Sequence, residues 1–199
     1  GHAFSHVREK EYPDTERTFV FDRYSNKKAD VVYFAFSRSR SFDSQLFNLF
    51  SLLHTCADVR KTELVLPYLP YCRSYPAPSD QVDKLSFILE ELRRRARTTY
   101  LVLPHGNVKE MHALAKGNNV VLVDVDPEIV RGLKALGRNL VLVSPDKGFS
   151  RNVERLAEKS GMSHIVLAKR RISSTEVAVV SDDATTKKII AHKRRRFVI

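Results

Sequence analysis

The chain has 199 residues, 43% of them hydrophobic, with 11 Phe and 7 Tyr, enough for one large or two small domains with a real core. Lys+Arg outnumber Asp+Glu by 34 to 23, a formal net charge of +11; this favours anionic partners, nucleic acid or polyphosphate small molecules, and leaves the fold open. Cys56 and Cys72 lack a CxxC spacing, which argues against a disulfide framework or a zinc site, and no apolar run reaches the ~18 residues of a membrane span.

In chain order, "TFVFDRY" (18–24) and "DVVYFAF" (30–36) are strand-like by their β-branched and aromatic content. Residues 41–60 follow as a helix with Leu46, Leu49, Phe50, Leu53 and Ala57 on one face, capped by Asp43 or Ser41. "TELVLPYL" (62–69) is a buried strand ending at Pro67–Pro70. Residues 79–96 read as a helix with Val82, Leu85, Ile88, Leu89 and Leu92 as its stripe and Ser79 or Asp80 as its cap. Its Arg93–Arg95 tail complements the dipole. The period then shortens. Strands are expected at 98–105, 119–125, 139–146, 164–171 and 175–180, with a last one, "RFVI", at the end. Helices are expected at 107–117, 126–137 and 150–161, with Gly117 closing the first and Pro127 and Gly137 bounding the second.

Near-continuous apolar strands alternating with helices predict α/β lobes with mainly parallel sheets covered on both faces. The strand count suggests two lobes, 1–124 and 125–199. Ligands of such sheets bind beyond the carboxyl ends of the strands, so the residues just after each strand are the candidates. Arg73, after "PYLPYC", suits phosphate or a purine face, and equally an ordinary surface turn. His105 suits a metal through neutral imidazole, or a turn that satisfies it locally. Asp146 with Gly148 suits Mg²⁺ and an anion at a helix start, or a plain turn with a cap. Lys169, Arg170 and Arg171 suit phosphate charge in a transition state, or a solvated run. Their common position at strand ends favours the functional reading.

Five short motifs occur in one order: "YPDTE" (Tyr12–Glu16), "PYLPYCR" (Pro67–Arg73), "LPH" (Leu103–His105), "SPDKGF" (Ser144–Phe149) and "KRR" (Lys169–Arg171). Together they resemble the ordered landmarks of the ribose-phosphate pyrophosphokinases, also called phosphoribosyl pyrophosphate synthetases. The resemblance implies two phosphoribosyltransferase-like (Rossmann-like) lobes, assembled as dimers or hexamers. It implies transfer of the ATP β,γ-diphosphoryl group to ribose 5-phosphate, with Mg²⁺. By the same resemblance, Tyr12, Asp14 and Glu16 reach adenine from a neighbouring subunit and Arg73 contacts ATP. His105, near ATP, and Asp146 hold Mg²⁺; Asp146, Lys147, Gly148 and Phe149 form the pyrophosphate loop; and Lys169 and Arg171 close over the transferring group.

The sequence also departs from the pattern. Thr15 and Phe149 stand where the family has Gly, Ser74-Tyr75-Pro76 follow Arg73 in place of Gln-Asp-Arg, and Leu103-Pro104 precede His105. The family's first strand and helix are expected to be absent or shortened before Tyr12, and "KKIIAHKRRRFVI" resembles the strand leading to an Asp-Asp ribose-phosphate loop, so the second lobe is expected to be incomplete. Three functional readings result. The first is an enzyme acting on ribose 5-phosphate or a molecule bearing it, such as ADP-ribose. The second is a non-catalytic regulatory or scaffolding relative, and the third, resting on the net charge and the basic runs Arg93–Arg97 and Lys193–Arg196, is recruitment of this chain to nucleic acid. The expected location is the cytoplasm, or an organelle were a transit peptide to precede Gly1; no membrane partner is expected.

Overall fold

A computed structural model describes residues 5–22, 28–72, 75–102, 108–171, 177–180 and 183–199, with backbone only at 108–110, 168–171, 177–180 and 183–184. The chain divides into two compact units, Gly1–Asp124 and Val125–Ile199.

Unit 1 begins with an antiparallel pair, β1 (Val7–Glu11) and β2 (Arg17–Phe21). Four parallel strands follow, β3 (Val31–Tyr33), β4 (Glu63–Leu66), β5 (Thr98–Val102) and β6 (Val120–Val123), lying in chain order across one sheet. Helices α1 (Phe42–Cys56), α2 (Lys84–Arg93) and α3 (Val108–Gly117) are the three crossovers. Right-handed crossovers that always step the same way put all three helices on one face. The core agrees: Leu46, Leu49, Leu53, Leu85, Leu89 and Met111 from the helices join Val32, Leu64, Leu66, Leu101 and Val120 from the strands.

Among the described residues, the sheet is packed on one face, a correction to the expectation of cover on both faces. Buried and partly open residues alternate along β4 and β5, and Val31, Tyr33 and Val121 on the other face are 57, 65 and 45% exposed. That is the pattern of a sheet with a single packed face.

The helix ends were set by local chemistry that periodicity does not register. Residue 83, not 79 or 80, starts α2: the Asp83 carboxylate accepts from the Ser86 amide at 3.0 Å and the Ser86 hydroxyl at 2.6 Å. Val82 then falls before the helix and is 81% exposed. Arg94 and Arg95 pair with Glu90 and Glu91. On α1, neither Ser41 nor Asp43 caps through its side chain as expected; the structure places Ser41 at the N-cap and commits Asp43 elsewhere.

Unit 2 is built on a parallel sheet ordered β11-β7-β8, with β7 (Leu140–Ser144) central, β8 (Ser163–Val166) on one side and β11 (Arg196–Val198) on the other. Every residue of β7 is buried. Helices α4 (Asp126–Leu136) and α5 (Ser150–Ser160) flank β7 in sequence, and Leu133, Val153 and Ala157 pack with Leu140 and Leu142. Residues 164–171, expected as one strand, break into β8 and β9 (Ala168–Arg171), the latter in an antiparallel pair with β10 (Val177–Val180). Residues 183–191, the second half of which (from Lys187) fell inside the tail expected to lead into the last strand, form α6.

Candidate functional site

The strand order singles out one loop. From β7 the chain crosses to β8 on one side, and it later returns by way of α6 to place β11 on the other. The carboxyl end of β7 is thus a point where connections diverge, the place where open α/β sheets form their ligand crevices. The loop leaving it is Ser144–Phe149.

Its residues are held by one another. The Ser144 hydroxyl, fully buried, donates to the Asp146 carbonyl at 2.7 Å, and the Leu167 amide donates to the Ser144 carbonyl at 2.9 Å. The Asp146 carboxylate accepts the Phe149 amide at 3.0 Å, which folds it back over the helix start. A Cβ on Gly148 would meet Asp146 Oδ1 at 3.2 Å, a tight approach that glycine avoids. The Ser150 hydroxyl and amide both donate to the Lys147 carbonyl, at 2.9 and 3.3 Å. Among the described residues, the backbone N–H groups of Lys147 and Gly148 donate to no acceptor. They sit immediately before α5, whose first turn holds no acid, so the helix-end charge and two open donors coincide. Phe149, at the helix N-cap, is 43% exposed. An anion can therefore meet backbone N–H here, with the Lys147 and Arg151 charges beside it.

Lys169 and Arg171 lie two residues apart on β9, opposite Val179 and Val177 of β10. The backbone places them on a two-stranded ribbon. Arg73 and His105 lie outside the described residues.

In unit 1, Tyr12, Asp14 and Glu16 occupy the connection between β1 and β2. The Tyr12 amide donates to the Glu16 carbonyl at 2.8 Å, the Thr15 amide to the Tyr12 carbonyl at 2.9 Å, and the Glu16 amide to Asp14 Oδ1 at 3.2 Å. Lys10 stands 4.8 Å over the Tyr12 ring. Thr15 has φ +71°, a left-handed conformation that glycine adopts freely and a β-branched residue rarely does. The turn has kept the backbone that the glycine of the resemblance would give, with a residue unsuited to it. Beside the turn is a cleft of ≈ 620 Å³, lined by Glu9, Thr15 and Arg17 and by Ser39–Ser41 and α1 residues. Glu9 pairs there with Arg40 and, at 3.8 Å, with Arg17.

Sequence reasoning missed what fixes the chain ahead of Arg73. Tyr71 also has a positive φ, +70°. Its hydroxyl donates to Asp43 at 2.5 Å, and Lys84 lies 4.7 Å from its ring and 3.7 Å from Asp43. The carboxylate beside it raises the Tyr71 pKa above its ordinary 10.0. Asp43, Tyr71 and Lys84 come from α1, the loop and α2, so no local pattern links them. Asp126, in the strand-end segment 124–126 where ligand-binding residues are sought, is instead 3% exposed and takes Arg155 through both oxygens (2.6 and 3.0 Å) and Lys159 at 2.7 Å. The Arg155 guanidinium holds its pKa down from 3.8 to about 2.

No group of three or more His, Cys, Asp or Glu side chains is placed to hold a metal among the described residues. A lone Asp146 still fits Mg²⁺, which commonly takes one or two protein carboxylates and completes its shell with substrate phosphate and water.

No protein-family model matches the sequence. The chain is 25% identical over 143 residues to a ribose-phosphate pyrophosphokinase of Sulfolobus acidocaldarius, covering 70% of this chain and 48% of that one. It is 25% identical over 171 residues to ribose-phosphate pyrophosphokinase 2 of Archaeoglobus fulgidus, covering 85% and 57%. It is 24% identical over 174 residues to the Sulfurisphaera tokodaii ribose-phosphate pyrophosphokinase, covering 85% and 58%. Over most of its length the chain is thus divergently similar to the ribose-phosphate pyrophosphokinases. A phosphoribosylpyrophosphate synthetase structure from Mycobacterium smegmatis aligns with a TM-score of 0.60 over 90% of this chain and 60% of that one, at 18% identity, which places the chain in a phosphoribosyltransferase-type α/β fold. The chain spans about half the length of the curated relatives it matches. No helix of the described residues is long and apolar enough to cross a membrane.

Proposed function

We propose that this chain carries the diphosphoryl-transfer half of a ribose-phosphate pyrophosphokinase-like reaction. The observation that supports it most is the Ser144–Phe149 loop: two backbone N–H groups without an acceptor among the described residues, at a helix start, at the divergence point of the unit 2 sheet.

In this reading the anomeric hydroxyl oxygen of ribose 5-phosphate, or of a molecule bearing it such as ADP-ribose, attacks the β-phosphorus of ATP. The new O–Pβ bond forms as the bond between Pβ and the α,β-bridging oxygen breaks, AMP leaves carrying that oxygen, and the hydroxyl proton passes to solvent or a nearby base. The Lys147 and Gly148 amides hold the diphosphoryl oxygens. Lys169 and Arg171, on the β9–β10 ribbon, neutralise charge on the transferring group. Asp146 and His105 hold Mg²⁺, which when bound offsets charge on the phosphates. Tyr12, Asp14 and Glu16 on their turn serve a neighbouring protomer's adenine in a homo-oligomer, and Arg73 serves the ATP phosphates.

The test is to incubate the full-length protein with Mg-ATP and either ribose 5-phosphate or ADP-ribose, and to measure AMP. Release of AMP dependent on an acceptor is expected. Lys169→Ala should lower kcat on the order of 10²–10³-fold without changing the folded signal. A folded protein that yields no AMP with either acceptor overturns the enzyme reading and leaves the non-catalytic one.

A further inference from the structure

We propose that the amino-end rim of the unit 2 sheet binds the backbone of a single-stranded nucleic acid, a function separate from diphosphoryl transfer. Of the formal +11, unit 2 carries +8, with 16 Lys+Arg against 8 Asp+Glu. The parallel strands β7, β8 and β11 have their amino ends together, at the opposite end from the Ser144–Phe149 loop. That rim collects Lys134 and Arg138 from the end of α4 and the loop into β7, and Lys193, Arg194, Arg195 and Arg196 from the approach to β11. All six are exposed, and among the described residues none lies within ion-pair distance of a carboxylate.

The rim is a built surface. The Arg196 amide donates to the Asn139 carbonyl at 3.0 Å, the Asn139 side chain to the Arg194 carbonyl at 3.1 Å, and Arg195 to the Ser163 hydroxyl at 3.2 Å. These bonds tie the basic run to the starts of β7 and β8. A cleft of ≈ 540 Å³ opens there, lined by Lys134, Arg138, Ser160, Gly161 and Met162.

Helix dipoles account for only part of this charge. Lys134 lies in the last turn of α4, where a cation offsets the exposed carbonyls. Arg196 donates to the Leu136 carbonyl at the end of α4, whereas Arg138, Arg194 and Arg195 lie beyond the helix ends, where that attraction has faded. Three strand starts span two interstrand gaps, roughly 10 Å, so the cations form a band suited to successive phosphates more than a point suited to one. Four of the six are arginines, which grip phosphate through two N–H groups at once. Phe197, 40% exposed, adjoins the run. An exposed ring beside a cationic band is the pairing that holds unstacked bases, which favours a single strand over a duplex or a membrane.

Fluorescence anisotropy with a labelled single strand of about 20 nucleotides, titrated between roughly 50 and 300 mM KCl, tests this. Binding is expected with a slope of log K against log salt near −4, from about −0.7 per phosphate contact. The variant Lys134→Gln/Arg138→Gln/Lys193→Gln/Arg194→Gln removes four side chains with no side-chain bond of their own among the described residues, so its fold should stand. Its slope should shrink to about −1 and its affinity should fall at least tenfold. Arg60→Gln/Lys61→Gln in unit 1 should bind like wild type, and Phe197→Ala should lose roughly fivefold or more. The proposal is overturned by no binding at the lowest salt, by wild-type affinity of the quadruple variant, by a duplex bound as tightly as the single strand, or by phosphatidylserine vesicles that compete equally.

Discussion

In unit 1, Arg8, Arg17, Arg40, Arg94, Arg95 and Arg97 each stand within ion-pair distance of a carboxylate. In unit 2, with far more cations for its acids, only Arg131, Arg155 and Lys159 do so among the described residues. The surface pairs of unit 1 contribute little stability each; their effect is to cancel charge locally, which suits a unit whose turns and helix ends they tie down. The loose cations of unit 2 repel one another, and a fold carries that cost where anions are to be met. The units also differ in their sheets. Unit 1 steps its strands one way and has no divergence point; unit 2 reverses at β7 and has one. Unmatched cations and a divergence of connections thus occur together in unit 2, and paired charges with a one-way strand order in unit 1.

The contrast can be broken or sharpened by substitution, beginning with the place where unit 2 behaves like unit 1. Asp126→Asn removes the buried partner of Arg155 and Lys159 and should cost about 2 kcal/mol by urea denaturation at neutral pH. The folded pKa lies below the unfolded one, at about 2 against 3.8. The contribution is thus complete above pH ~4 and is lost as pH falls toward 2. A wild-type advantage that persisted undiminished at pH 2 would remove the ion pair as its source.

Next is Gly148→Ala, which pushes a methyl to 3.2 Å from Asp146 Oδ1. It should lower kcat about tenfold while hardly moving Tm, since a displacement of a few tenths of an ångström acts on positioning first. The reverse result, a large stability loss with activity kept, would make the loop merely structural. Thr15→Gly in unit 1 should do the opposite of harm. Relief of left-handed strain, ~1–2 kcal/mol, outweighs the extra backbone entropy of glycine, ~0.5–1 kcal/mol. A net gain of about 0.5–1 kcal/mol should appear as a raised Tm.

Tyr71→Phe should have the smallest effect, a loss of about 0.5 kcal/mol at pH 7. The hydrogen bond to Asp43, and then burial, favour the neutral phenol and raise its pKa above 10.0. That contribution is full below pH ~10 and disappears as pH rises through the folded value. Wild type and variant should therefore converge in strongly alkaline urea titrations.

Local chemistry made much of this legible. α4 was bounded correctly by Pro127 and Gly137, and α5 ends at Gly161, which has φ +73°, because cap residues act within a turn of the chain. Where a nearer competitor won, the reading slipped. The Asp83 cap displaced Ser79 and Asp80 and left Val82 exposed. The β-branched Thr185, Thr186, Ile189 and Ile190 obscured α6, whose propensity was overridden by its surroundings. β1 was missed because VREKE carries one apolar residue and draws its strand character from pairing with β2.

For the candidate site, the sequence by itself determined the turn Ser144–Phe149, its Asp and Gly, and the basic runs, since these depend on residue type and order. Only the tertiary structure decided that β7 is central and its loop stands at a divergence of connections. It alone brought Lys134 and Arg138 to the same rim as Lys193–Arg196 and joined Asp43, Tyr71 and Lys84. Strand order and rim composition follow from pairings between residues some 20 to 60 positions apart, and neither spacing nor periodicity encodes such pairings.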